Sequence, residues 1–316
     1  MDARSFPRVV LIVVACVITL ASTGAVAASQ SRRLVVFGDS LTDPGNAFVV
    51  LHQVSVPPYQ LIPDAPYARG GLHFSNGPTW IEQLAKEQRW RGACAALLVP
   101  RVCSNYAVGG ARARAGAAFD LSSQIDDFLG DVSGAAPAQA LYLVHIGGND
   151  LRDAIEALLV DPTGATSVAI IGDALDAMAG NIVTLAAAGA GEFMVPNAPN
   201  LALAPAIRLQ GPAAQAAAQA LSIVFNDALA GLLATLEAGL GVTIHRFDVF
   251  ALINETVALP AAAGFIEVEA PCITPGVIRH AECNHPDQFL FWDGIHPTRA
   301  GHALLAQRAQ AILSAP

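Results

Sequence analysis

Beyond its first 28 residues the sequence has no apolar stretch of membrane-spanning length that is free of charge, proline or glycine. The mature chain is therefore expected to be soluble, without stable membrane insertion. It also has no basic excess, since 17 Lys and Arg are set against 26 Asp and Glu, a formal net charge of −9. Such a surface repels phosphate backbones and anionic lipid, so nucleic acid is not an expected partner. Internal repeats and linker-like stretches are missing. His280, Cys283 and His285 come close together in HAECNH, but no matching ligand cluster with the spacing of a closed metal site occurs elsewhere. No metal is expected there.

What is present begins with an exceptional N-terminus. Arg4 and Arg8 form a short basic region, residues 9–21 are almost wholly apolar, and Ala25-Val26-Ala27 supplies an A-x-A cleavage site. This is the pattern of a secretory signal peptide over residues 1–27, leaving residues 28–316 as one domain, secreted or periplasmic. An uncleaved anchor and lipidation at Cys16 are the alternatives. Cleavage removes two Arg and one Asp and moves the formal charge to −10. Four cysteines then remain, an even count that suggests disulfides in an oxidising compartment. Cys94 with Cys103 and Cys272 with Cys283 close the shortest loops, among three possible connectivities.

At 53% hydrophobic the chain can build a large core. Short, branched apolar runs at 34–37, 102–106, 141–146, 193–195 and 242–247 read as strands buried on both faces. Ala- and Leu-rich segments at 79–87, 168–188, 213–237 and 299–313 read as helices. The alternation implies an α/β fold, a parallel five-stranded sheet between helical layers. Residues 54–78 and 252–287 read as long loops. In the first of these, Tyr59, Tyr67 and Phe74 are candidates to close over an acyl or head group, with packing inside the loop as the alternative.

In an open parallel sheet, functional groups gather at the carboxyl ends of strands. Four polar clusters stand at such places: Gly38-Asp39-Ser40-Leu41-Thr42-Asp43, Asn105 to Ala113 with Gly109 and Gly110, Gly147-Gly148-Asn149-Asp150, and Asp293-Gly294-Ile295-His296. Each has a plain structural reading as a turn or helix cap. Together they hold the parts of one mechanism. A serine hydroxyl needs an adjacent base, which suits His296; the imidazole needs a carboxylate to hold its tautomer, which suits Asp293 three residues away. Oxyanion donors would be the Ser40 N–H, a glycine N–H and the Asn149 amide. Asp39 is expected to order its loop and Asp43 to cap a helix. His302 competes for the role of base, but without a neighbouring acid it is expected to be a surface or packing residue.

On these four blocks in order, with Phe74 to Trp80 between the first two, the chain resembles the SGNH, or GDSL-type, lipase/esterase family over about residues 34–313. The resemblance implies a flavodoxin-like three-layer αβα sandwich, no metal or organic cofactor, and Gly110 rather than Gly109 as the glycine donor. The G-x-S-x-G elbow of α/β-hydrolases is absent, since Thr42 stands two residues after Ser40.

The expected activity is hydrolysis of carboxylic esters through an acyl-Ser40 intermediate, with small-molecule or lipid esters as partners. Small or short-acyl esters are expected to be preferred, because the acidic chain has no amphipathic basic helix for docking on lipid. Phospholipase A or lysophospholipase, lipid acyltransferase, carbohydrate O-deacetylase and a non-catalytic binding module are the alternatives. Mass measurement of protein isolated from its own compartment is expected to show an N-terminus near Ala28; a chain that still begins at Met1 would reject the leader.

Overall fold

The computed structural model describes residues 32–116 and 119–315, so the leader expected over residues 1–27 lies outside the described residues. Four strands form the central sheet: β1 (Leu34–Gly38), β2 (Leu141–His145), β3 (Glu192–Pro196) and β4 (Thr243–Phe247). They are parallel, in the order β1-β2-β3-β4. A separate parallel pair joins β5 (Glu267–Pro271) to β6 (Phe289–Phe291). The helices are α1 (Asn46–Leu51), α2 (Trp80–Gln88), α3 (Leu121–Asp131), α4 (Gly148–Ala157), α5 (Ala165–Ala187), α6 (Pro205–Arg208), α7 (Pro212–Leu240), α8 (Val249–Ala258) and α9 (Arg299–Ser314).

Strand alternation divides the core into two layers. Val35, Phe37, Tyr142, Val144, Phe193 and Val195 point to the side covered by α3, α4, α5 and α7. Their neighbours Leu34, Val36, Leu141, Leu143 and Met194 point to the side covered by α2, α8 and α9. Because both faces are covered, β1 and β2 are buried at every position, which explains their continuous apolar sequence. Helix ends carry local signals. Thr79 and Glu82 form a capping box on α2, Asp120 and Thr298 cap α3 and α9, and α7 starts on Pro212 and stops at left-handed Gly241.

The sheet has four strands where five were expected. The segment 102–106 runs beside β1 and bonds to it through Val36 N–H to Ser104 O (2.9 Å) and Tyr106 N–H to Val36 O (2.8 Å), with one parallel bridge at Asn105. On its other side Ala96 N–H donates to Asn105 O, and the Asn105 side chain donates to Thr42 O and Ala93 O. With Cys103 bonded to Cys94, the segment is bound to irregular neighbours and makes no regular ladder. Helices α1, α3, α4, α6 and α8 and the β5–β6 pair were not foreseen; α8 and β5 occupy part of the expected loop 252–287. The second disulfide joins Cys272 and Cys283. Loops of 9 and 11 residues should each contribute about 2–3 kcal/mol on the loop-entropy model.

Trp80 ties the core to two buried histidines. Its backbone N–H donates to His302 Nδ1 (3.2 Å) and its indole N–H to His145 Nδ1 (3.3 Å). His302 is therefore a packing residue, not a surface one. Burial holds His302 down to about 3 and His145 down to about 4. A histidine with a depressed folded pKa takes up its proton more readily when unfolded, so the stability of the neutral form is complete above about 6.5 and drains away as pH falls from there toward 4. Unfolding titrations between pH 7 and 4 should show this loss, and His302→Asn, which can keep an acceptor for Trp80 N–H, should reduce the slope by up to about 1.4 kcal/mol per pH unit. An unchanged slope would rule out His302 as a source.

Candidate active site

Gly38 ends β1 where the chain has no room for a side chain: a Cβ there would lie 2.3 Å from Thr42 Oγ1 and 2.6 Å from His145 O. Gln124 of α3 grips the same residue from both sides, accepting from Gly38 N–H (2.8 Å) and donating to Gly38 O (2.9 Å). Beyond it Asp39 Oδ1 accepts from Leu41 N–H (3.0 Å), so Asp39 does order the loop. Burial pushes its carboxyl up to about 6, against the Leu41 N–H and His296, which pull it down. Ser40 sits at the turn with its Oγ 2.8 Å from His296 Nε2.

His296 arrives from the turn between β6 and α9. Its Nδ1 lies 2.7 Å from Asp293 Oδ2, while Asp293 Oδ1 accepts from the backbone N–H groups of Ile295 (2.9 Å) and His296 (2.8 Å). Tyr67 completes the carboxylate, its hydroxyl donating to Oδ2 at 2.9 Å. Burial and the adjacent Asp293 charge raise the Tyr67 pKa, which keeps the hydroxyl a donor. Ser40, His296 and Asp293, separated by more than 250 residues, thus form one hydrogen-bonded chain in which Asp293 is fully buried.

Asp43 does more than cap α1. Its carboxylate accepts from the N–H groups of Gly45, Asn46 and Ala47 and also from Gly109 N–H (2.8 Å). Gly109 N–H is thereby engaged, whereas Gly110, at φ +85°, has no internal acceptor for its N–H among the described residues. Asn149 lies in the first turn of α4, at the positive end of the helix. One Nδ2 proton goes to Ala111 O (2.9 Å), leaving the other free. Asp150, fully buried, accepts from Ala113 N–H (2.8 Å) and Arg114 N–H (3.3 Å). Arg112 grips Asp153 with two hydrogen bonds and Arg114 reaches the same carboxylate. The loop from Gly109 to Arg114 is held by buried carboxylates at both ends.

Tyr59, Tyr67 and Phe74 support the site and do not line its opening. Tyr59 and Tyr67 pack edge to face, and Phe74 lies 5.3 Å from the His296 ring, filling the space where a Gly109 side chain would be. The opening itself is a groove of about 200 Å³. Ser40, Asn149 and His296 stand at one end, and aliphatic residues such as Ile155, Leu158, Leu201, Ile207, Ala214 and Ile295 make the walls. Gln124, Arg112 and Arg114 were not assigned to the site from the sequence, and Tyr67, expected to close over an acyl or head group, instead bonds Asp293. Tyr67 carried only the signal of an aromatic in a polar loop, and Gln124 carried none.

A family model for GDSL-like lipase/acylhydrolase matches residues 34–309. Among curated proteins the chain is similar to the thermolabile hemolysin of Vibrio parahaemolyticus, 25% identical over 88% of this chain. It spans 63% of that protein's length. A GDSL esterase/lipase of Arabidopsis thaliana is 26% identical, with 88% of each chain covered. Among solved structures, an acetylxylan esterase of Geobacillus stearothermophilus has 15% identity and a TM-score of 0.46, covering 90% of this chain and 95% of that one. With the four sequence blocks drawn to one edge of a parallel sheet and the family model covering nearly all of the described residues, the chain belongs to the GDSL-like lipase/acylhydrolase family of ester-hydrolysing serine hydrolases.

Proposed function

We propose that the protein is an exported acylhydrolase that works through an acyl-Ser40 intermediate. The observation that carries the reading is the continuous hydrogen-bonded chain Ser40 Oγ, His296 Nε2, His296 Nδ1, Asp293 Oδ2 at the end of an apolar groove. Ser40 Oγ attacks the ester carbonyl carbon as His296 Nε2 takes its proton. Asp293 holds the ring with Nδ1–H toward Oδ2 and balances the imidazolium. The carbonyl oxygen, now an oxyanion, accepts from the Ser40 and Gly110 N–H groups and the free Asn149 amide proton. Collapse expels the alcohol, which takes the proton from His296. Water, deprotonated by the same imidazole, then attacks the acyl-Ser40 carbonyl and releases the acid.

The wall of the groove speaks to the substrate. Most of its wall is aliphatic and suits an acyl chain, and Arg152, Glu156 and Gln210 also line it. A binding module has no use for an intact Ser40–His296–Asp293 chain. The two disulfides fit an oxidising compartment.

Ser40→Ala and His296→Ala are each expected to lower kcat on p-nitrophenyl esters by several orders of magnitude, and Asp293→Asn by less. A Ser40→Ala protein that keeps more than about 1% of wild-type turnover would overturn the assignment. Fluorophosphonate labelling should fall on Ser40 alone. For the oxyanion site, Asn149→Ala should reduce kcat by about 10²-fold with little change in KM. A change confined to KM would make Asn149 a binding residue.

A further inference from the structure

Large apolar side chains stand exposed on the two turns that flank the mouth of the groove. Leu159 lines the groove and is yet 82% exposed, and Val160 beside it is 86% exposed. On the second turn Leu209 is 73% exposed, between Ile207 and Gln210, which both line the groove. These residues end α4 and α6, two helices about fifty residues apart in sequence. Other exposed apolar side chains, such as Leu98, Val102 and Ile278, lie on segments that contribute nothing to the groove. Water-facing apolar side chains this size, continuous with an apolar binding groove, are costly unless another apolar surface covers them.

We infer that this rim of Leu159, Val160 and Leu209 docks the enzyme on an uncharged or zwitterionic lipid aggregate, from which an acyl chain passes directly into the groove. The inference rests on the reading of the groove as the acyl site. Continuity identifies the occupant, since the surface that meets the rim is the one that holds the substrate. Charge narrows it further. The chain carries a formal net charge of −9, which opposes recruitment to an anionic surface, and near the rim Arg208 is paired with Glu269 and Arg152 faces Glu156 at 3.7 Å. Docking of this kind needs no basic amphipathic helix, because the apolar residues come from two turns brought together by the fold.

The test uses the full mature chain carrying Ser40→Ala, so that the lipid is not consumed, with phosphatidylcholine vesicles and with vesicles also containing phosphatidylglycerol. Ser40→Ala protein should co-sediment with phosphatidylcholine vesicles. Adding Val160→Asp and Leu209→Asp should lower the partition at least about ten-fold. In the active enzyme the same pair should depress hydrolysis of a dispersed palmitoyl ester and leave soluble p-nitrophenyl butyrate hydrolysis unchanged. Should the aspartate pair impair folding, seen as lost butyrate activity, Val160→Gln with Leu209→Gln replaces it. No binding to phosphatidylcholine, binding only when phosphatidylglycerol is present, or wild-type partition by the double variants would each overturn the inference. Failure of wild-type protein to hydrolyse either the butyrate or the palmitoyl ester would instead overturn the acylhydrolase reading, leaving the vesicle result to stand by itself.

Discussion

A carboxylate with no contact with water must be given donors by the protein, and Asp293 receives four: two backbone N–H groups of its own turn, the Tyr67 hydroxyl and His296 Nδ1. An unsatisfied buried charge is expensive enough that these partners are obligatory, not optional. Much of the architecture follows from that requirement. The β6–α9 turn must close tightly enough to present its N–H groups, and the long loop 54–78 must run under the site to deliver Tyr67. In turn Tyr59 and Trp292 must pack around the Tyr67 ring. The loop without helix or strand is thus a structural floor for the imidazole.

The same device recurs at the oxyanion loop. Asp43 and Asp150 are both fully buried, and each accepts from backbone N–H groups of the segment that follows Val108, Asp43 from Gly109 and Asp150 from Ala113 and Arg114. Electrostatic stabilisation of an oxyanion depends on donors already in place, since donors that must reorganise lose most of their advantage. The acids within the first and third sequence blocks therefore have a role distinct from that of Ser40 and Asn149: they hold the backbone that carries Gly110. Gln124 does the corresponding work for Gly38, clamping the end of β1 so that the nucleophile turn starts from a fixed position.

The candidate site draws its polar groups and its groove from two sources. The hydrogen-bonding groups come from strand ends and their tight turns, where rigid neighbours set their positions. The groove comes from the ends of α4 and α6, the start of α7 and the segment after β3, outside the sheet itself. One polar end and one apolar wall meet at Ser40, which is what an ester with a dissimilar acyl and alcohol part requires.

The sequence by itself pointed to the residues of the candidate site and determined most of the sheet. Ser40, Asn149, Asp293 and His296 were legible because each lies in a compact block whose residue types have one joint use, and β1 and β2 because strands covered on both faces must be apolar throughout. Short-range signals likewise marked α2, α7 and α9. Only the tertiary structure decided that residues 102–106 run beside β1 without becoming a strand, that Tyr67 and Gln124 belong to the site, that Gly109 N–H is occupied by Asp43, and that Leu159, Val160 and Leu209 share one rim. The reason is range. A cap, a turn or an alternating strand is a contract between residues a few positions apart, whereas these contacts join groups tens to hundreds of residues apart, and nothing in either partner's local sequence names the other.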